Sequence, residues 1–284
     1  MGILSGLKRI GLGNFENVDI YEKDESQRKA KKAADAVQKP KPEEKDYLYE
    51  KAYTCPVCGA DFSSKVMKSG KAKLVGADQD LRPRYDVIDS TKYDVVLCPV
   101  CAYGALASSF AHISPGQTKL IRENISANAK VNFYHDEIYS YEEALERYEL
   151  ALACAVVKRT KASEKAYICL KTGWLLRGYA ESLKDVEQPT VSVEELEQQE
   201  NEYLENAYKG FMDARQSETF PMCGMDELTI DYLLAALALR FQHYDVAGRL
   251  LTSVLTSTTA SSRVKDKARD MKEQVLRELK KQQG

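Results

Sequence analysis

Tyr53-Thr54-Cys55-Pro56-Val57-Cys58-Gly59, echoed at Val96-Leu97-Cys98-Pro99-Val100-Cys101-Ala102, decides how the first half of this chain is read. The tetrapeptide Cys-Pro-Val-Cys occurs twice and takes up four of the seven cysteines. A Cys-x2-Cys turn lets two sulfurs converge on one ion, while amides of the turn point at them and offset their charge. Pro56 and Pro99 stiffen the turns, and Gly59 stands where a left-handed backbone helps. Two such turns bring Cys55, Cys58, Cys98 and Cys101 around a single metal. Four soft thiolates in a tetrahedron select Zn2+. Because all four positions belong to cysteine, the expected ion is one structural Zn2+ with no place for water or substrate. The intervening residues 59–97 exceed the roughly 15–20 of a typical ribbon, and a hairpin inside them accounts for the length. Three other states use the same residues. Rubredoxin-like iron takes the same ligands. Two redox turns would each open a helix, whereas the first pair here precedes a hairpin. Four free thiols would leave a β-poor segment without a core.

Working outward, Lys65-Val-Met-Lys68, Ser69-Gly70 and Lys71-Ala-Lys-Leu-Val75 predict that hairpin. Tyr93-Asp-Val-Val-Leu97 predicts a strand running into the second cysteine pair. Residues 47–114 therefore form a small, β-containing, zinc-ribbon-like domain. Ahead of it, residues 1–46 read as a flexible tail and charged linker, with a short helix at about Ser26–Val37. Lys8 and Arg9 interrupt the apolar start, so no secretory core is expected, and Gly6 stands where a myristoylation signal needs Ser or Thr.

After Ser114 the chain reads as helical. Ser114/Gln117 (with Pro115 first in the helix), Ser140/Glu143 and Ser192/Glu195 carry the spacing in which a serine hydroxyl and a later Glu or Gln satisfy orphan helix N–H groups. Further helices are expected at about Ser163–Leu183, Asp226–Phe241, Tyr244–Thr256 and Ser262–Lys281. A small–large–small pattern recurs at Ala144/Tyr148/Ala151, Ala207/Phe211/Ala214 and, more weakly, Ala247/Leu251/Val254. That is the second helix of a tetratricopeptide unit, where small residues admit a neighbouring helix. Tyr167, Leu170 and Trp174 fit the first helix. Residues 115–284 thus read as a tetratricopeptide-like helical domain with irregular repeats, a generic helical bundle being the alternative. The fold class is mainly α. Aligning the repeats places Ile168, Thr172, Tyr232 and Ala236 on the concave face. The Lys/Asn clamp for a peptide carboxylate is missing. Such a groove suits an apolar or helical ligand, or is filled by the chain itself.

With 41 Lys and Arg against 43 Asp and Glu, no global field draws the chain to nucleic acid or anionic lipid, and no apolar run approaches membrane-spanning length. Lys65, Lys68, Lys71 and Lys73 make a local basic stripe without interleaved aromatics. His112, His135 and His243 belong to no catalytic motif. Arg82 and Arg84 suit either an anion or the nearby Asp78, Asp80 and Asp86. Cys223 precedes a helix, where a lowered pKa or simple burial is expected. The expectation is a cytoplasmic, non-enzymatic zinc-binding adaptor or scaffold for a protein or peptide. A nucleic-acid-associated ribbon ranks second and a thiol oxidoreductase third.

Several segments carry a family likeness. Tyr49-Glu-Lys-Ala-Tyr-Thr-Cys-Pro-Val-Cys58, Asp80-Leu-Arg-Pro-Arg-Tyr85, Tyr93-Asp-Val-Val-Leu-Cys-Pro-Val-Cys101, Tyr141-Glu-Glu-Ala-Leu-Glu-Arg-Tyr148, Cys223-Gly-Met-Asp-Glu-Leu-Thr229 and Tyr232-Leu-Leu234 resemble a bacterial family named domain of unknown function 2225. The resemblance runs from about Tyr47 to Leu255. It implies a zinc-ribbon start joined to tetratricopeptide-like helices, and it implies no activity.

Overall fold

The computed structural model describes residues 42–129 and 136–283. The expected tail, most of the linker with its short helix, and His135 lie outside the described residues.

Each cysteine pair forms the turn of an antiparallel hairpin. β1 (Leu48–Thr54) pairs with β2 (Asp61–Met67) from Leu48↔Met67 to Thr54↔Asp61. β5 (Val95–Leu97) pairs with β6 (Gly104–Leu106) from Val95↔Leu106 to Leu97↔Gly104. Between them lies a third hairpin of β3 (Leu74–Ala77) and β4 (Pro83–Tyr85). The expected hairpin across Gly70 is corrected here. The turn exists, with Gly70 at φ +69°, but β2 pairs back to β1 and β3 pairs forward to β4. The reason is that both edges of β2 are taken. β1 covers one, and the Tyr139 hydroxyl accepts the Lys65 N–H at 3.1 Å on the other.

The helices are α1 (Pro115–Ile121), α2 (Tyr141–Val157), α3 (Ala162–Leu183), α4 (Val193–Ser217), α5 (Glu227–Arg240), α6 (Tyr244–Thr256) and α7 (Ser262–Gln283). Ser114, Ser140 and Ser192 each accept the N–H three residues on, and Ser114/Gln117 closes the reciprocal box. α3 packs on α4 and α5 on α6 as successive helical hairpins, with α7 against α6. Gly173 and Gly210 set the closeness of the first: a Cβ on Gly173 would lie 2.7 Å from Leu204, and one on Gly210 2.8 Å from Ala166. All three small–large–small triplets are buried, in α2, α4 and α6.

Residues Glu43–Gly284 form one compact unit. Val95 and Leu106 share a core with Ala144, Tyr148, Ala151, Ile168 and Leu175, so the strands and helices are sealed by common packing.

Candidate metal centre

The two cysteine turns are built alike. In the first, the Cys55 N–H donates to the Ala60 carbonyl and the Gly59 N–H donates back to the Cys55 carbonyl, both at 2.9 Å. In the second, Cys98 N–H meets the Tyr103 carbonyl at 2.9 Å and Ala102 N–H meets the Cys98 carbonyl at 3.0 Å. Both need a left-handed residue after the second cysteine, filled by Gly59 at φ +78° and Ala102 at φ +58°. The Val57 N–H points at Cys55 Sγ, 3.4 Å away.

Facing one another, the turns bring all four Sγ atoms within 4.8 Å. Cys55 Sγ lies 3.6 Å from Cys101 Sγ, and Cys58 Sγ 3.6 Å from Cys98 Sγ. A tetrahedron with Zn–S bonds of about 2.3 Å has edges near 3.8 Å, whereas a disulfide needs about 2.05 Å. The set is compatible with one metal ion and the donor chemistry suits Zn2+. Hydrogen bonding from Cys101 pulls the Cys55 thiol down to about 5. Burial pushes Cys98 up to about 11, and the bond to Cys55 raises Cys101 further still. Burial and the neighbouring Cys55 thus oppose ionisation of Cys98 and Cys101, a cost that a bound dication would offset.

The surroundings hold the turns in place. Arg122 donates to the Val57 carbonyl and Ser126 to the Cys101 carbonyl at 2.8 Å. Tyr53, Phe62, Tyr103 and Phe110 form an aromatic cluster in which each ring meets Phe110. Cys154, from α2, accepts the Gly104 N–H at 3.4 Å beside the second turn, a role its isolated position in the sequence did not reveal. Cys58 is the exposed member of the four.

The other candidate residues are placed differently. Ile168 and Thr172 are 1% and 0% exposed. Ile168 sits in the core shared with β5, β6 and α2, and the Thr172 hydroxyl donates to the Ile168 carbonyl. Tyr232 is also buried, and Ala236 borders a cleft. The expected concave face is therefore not an open groove: Ile168 is covered by β5, β6 and α2, Thr172 is fully buried, and Tyr232 and Ala236 of α5 pack in the helical core. Arg82 and Arg84 meet carboxylates. Arg82 donates to Glu181 at 3.0 Å and Asp89 at 3.1 Å; Arg84 donates to Asp78 at 2.6 Å and twice to Glu181 at 2.7 Å. Arg177 completes the network with Asp78, Asp80 and Glu200. Of the aspartates expected from sequence, Asp78 meets Arg84 and Asp80 meets Arg177, whereas Asp86 accepts the Lys73 N–H and Asp89, which was not expected, takes Arg82. Arg177 and Glu181 gave no sequence signal because their partners in the hairpin are far away along the chain, and Glu200 of α4 reaches Arg177 and Arg240 on neighbouring helices. His112 is exposed, and His243 stacks on Tyr208. Burial pushes the Cys223 thiol up to about 11, so the helix start does not activate it.

Fold and site together define a mainly helical protein with a small cysteine-cluster region of antiparallel hairpins. Over residues 48–275 the chain matches the family described as "Uncharacterized protein conserved in bacteria (DUF2225)", and it belongs to that family. A protein of Borreliella burgdorferi, described as "Uncharacterized protein", is 20% identical over 105 residues, covering 34% of this chain and 38% of that one. The matched stretch is thus well under half the length of that relative. No solved structure matches this chain.

Proposed function

We propose that Cys55, Cys58, Cys98 and Cys101 hold one structural Zn2+, and that the protein is a cytoplasmic adaptor, without catalysis of its own, whose helical body engages another protein. The observation that carries the metal reading is the closed set of four sulfurs within 4.8 Å. A four-cysteine site leaves no position for substrate, which favours a structural role. The helical hairpins support the adaptor reading, since stacked hairpins present extended surfaces for partners. Among the described residues no helix is long and apolar enough to cross a membrane. Part of the basic stripe is already engaged, with Lys65 paired to Glu50 and Lys68 donating to the Asp46 carbonyl.

Two measurements test the proposal. Protein purified anaerobically should carry about one zinc per chain; iron with a visible charge-transfer band, or no metal, overturns the metal reading. Affinity capture from native cells with quantitative mass spectrometry should retain one reproducible protein partner. A salt-sensitive submicromolar complex with DNA or RNA, lost when Lys65, Lys68, Lys71 and Lys73 become Ala, would replace the adaptor by a nucleic-acid reader.

A further inference from the structure

The β3–β4 hairpin is built as a stalk and a tip. All four residues of β3 are exposed, including Leu74 and Val75, whereas β4 is half-buried and its Tyr85 packs against Leu48, Ile88 and Tyr93. The tip turns through Asp78–Arg82, where the Asp78 N–H meets the Arg82 carbonyl at 2.9 Å and the Leu81 N–H meets the Asp78 carbonyl at 3.0 Å. Leu81 adopts φ +73°, a left-handed backbone that leucine rarely takes, and its side chain packs against the helical core.

The tip meets α3 in a charge-ordered register. Asp78 and Asp80 reach Arg177 at 2.9 and 2.6 Å. Arg82 and Arg84 reach Glu181, one helical turn on, at 3.0 and 2.7 Å. Gly178 lies between these two receiving residues, and a Cβ there would come within 2.7 Å of Arg82. Gln79 donates to Gln274 of α7 at 3.2 Å. Beside the tip, a cleft of about 480 Å³ runs on past Ala236, Arg240 and Glu278. The tip therefore occupies part of a groove made by α3, α5 and α7.

We propose that this groove is a docking site for a partner protein's segment with the order acid-x-acid-Leu-Arg, and that the chain's own residues 78–84 hold it as a competing internal ligand. The proposal deepens the adaptor reading and rests on it. Charge complementarity specifies the occupant: Arg177 takes the two carboxylates, Glu181 takes the following arginine, and the helical core packs the leucine between, as it packs Leu81. Tethering gives the internal segment a millimolar-scale effective concentration, so a free peptide competes poorly until the tip is released.

The test uses the full-length, metal-loaded protein and a fluorescein-labelled peptide copying Val75–Tyr85. Anisotropy should show at least tenfold tighter binding to the double variant Asp80→Ala, Leu81→Ala than to the unmodified protein. Replacing both aspartates of the peptide's Asp-Gln-Asp by asparagine should abolish that gain. A double variant that keeps a cooperative Trp174 unfolding transition yet binds no better overturns the proposal. Hydrogen exchange on the unmodified protein decides the matter even if that variant fails to fold. Amides 78–82 should exchange at least a hundredfold faster than those of α3, because the tip opens by itself. Exchange of both at one rate would make the tip permanent core and overturn the docking site, while leaving partner capture by another surface untouched.

Discussion

At the residue scale the two cysteine turns form a natural controlled comparison. They share one hydrogen-bond plan, but the left-handed position holds glycine in one and alanine in the other. Nothing lies within 4 Å of a Cβ added to Gly59, so its replacement is penalised by backbone strain alone. Gly59→Ala should therefore cost about 1–2 kcal/mol in urea unfolding of the metal-loaded protein. Ala102→Gly should be neutral or stabilising by up to about 1 kcal/mol, because relieved strain outweighs or balances the added freedom of the unfolded chain. Equal losses from both changes would refute the shared-plan argument. The four cysteines were legible from spacing, because a Cys-x2-Cys turn is a local and repeated pattern. The strained Ala102 was not, because alanine carries no mark of the backbone angle it is forced to adopt. Cys154 was equally silent, since its hydrogen bond to the second turn depends on a helix some fifty residues away folding back.

At the element scale, helix starts were readable where caps are local, so α2 and α4 begin directly after Ser140 and Ser192, whose hydroxyls accept the N–H three residues on. Strand pairing and groove exposure were not, because a side chain's far partner decides them. Ile168 shows the consequence. Repeat alignment put it on the concave face, and α2 and the second cysteine hairpin bury it there. Phe211→Ala should cost about 3–5 kcal/mol and Ile168→Ala about 2–5 kcal/mol, both as core truncations, in denaturant melts followed by Trp174 fluorescence. A loss below about 1 kcal/mol at Ile168 would restore it to a surface, since core truncations of this size rarely cost so little. The network on α3 adds a pH test. Burial alone would raise the Glu181 pKa, but Arg84 and Arg82 outweigh it and hold it below its ordinary 4.5. A carboxylate whose folded pKa is depressed stabilises the fold above the unfolded value and loses that contribution as pH falls through the folded one. Glu181→Gln should thus cost about 1–3 kcal/mol at neutral pH, a moderate figure because the carboxylate is partly solvated. The gap between the two proteins should close as pH drops below 4.5. A gap that stays constant with pH would mean that the glutamate charge contributes nothing.

At the scale of the whole molecule, the cysteine hairpins and the helices share buried packing. Cys55, Cys98 and Cys101 belong to one buried cluster with Ile121 and Cys154 of the helical region. Val95 and Leu106, flanking the second turn, are packed with Tyr148 of α2 and Ile168 of α3. If the four thiolates lose their ion, the small hairpins lose the interaction that substitutes for a core of their own. The apolar face of α2 then loses its cover. Chelation, or Cys98→Ser, should therefore do more than unfold residues 47–114. Trp174 lies on α3, outside the cysteine cluster, so its fluorescence reports on the helical body. Its melting temperature should fall by about 10 °C or more, since a cost of several kcal/mol moves a domain of this size by roughly 2–4 °C per kcal/mol. Far-UV circular dichroism should show the same transition, because one cooperative unit unfolds at one temperature whichever probe follows it. An unchanged Trp174 transition in the metal-free protein, with loss of protection confined to residues 47–114, would show that the cysteine hairpins and the helical body fold independently. The shared packing of Val95 and Leu106 with α2 and α3 would then carry no coupling energy.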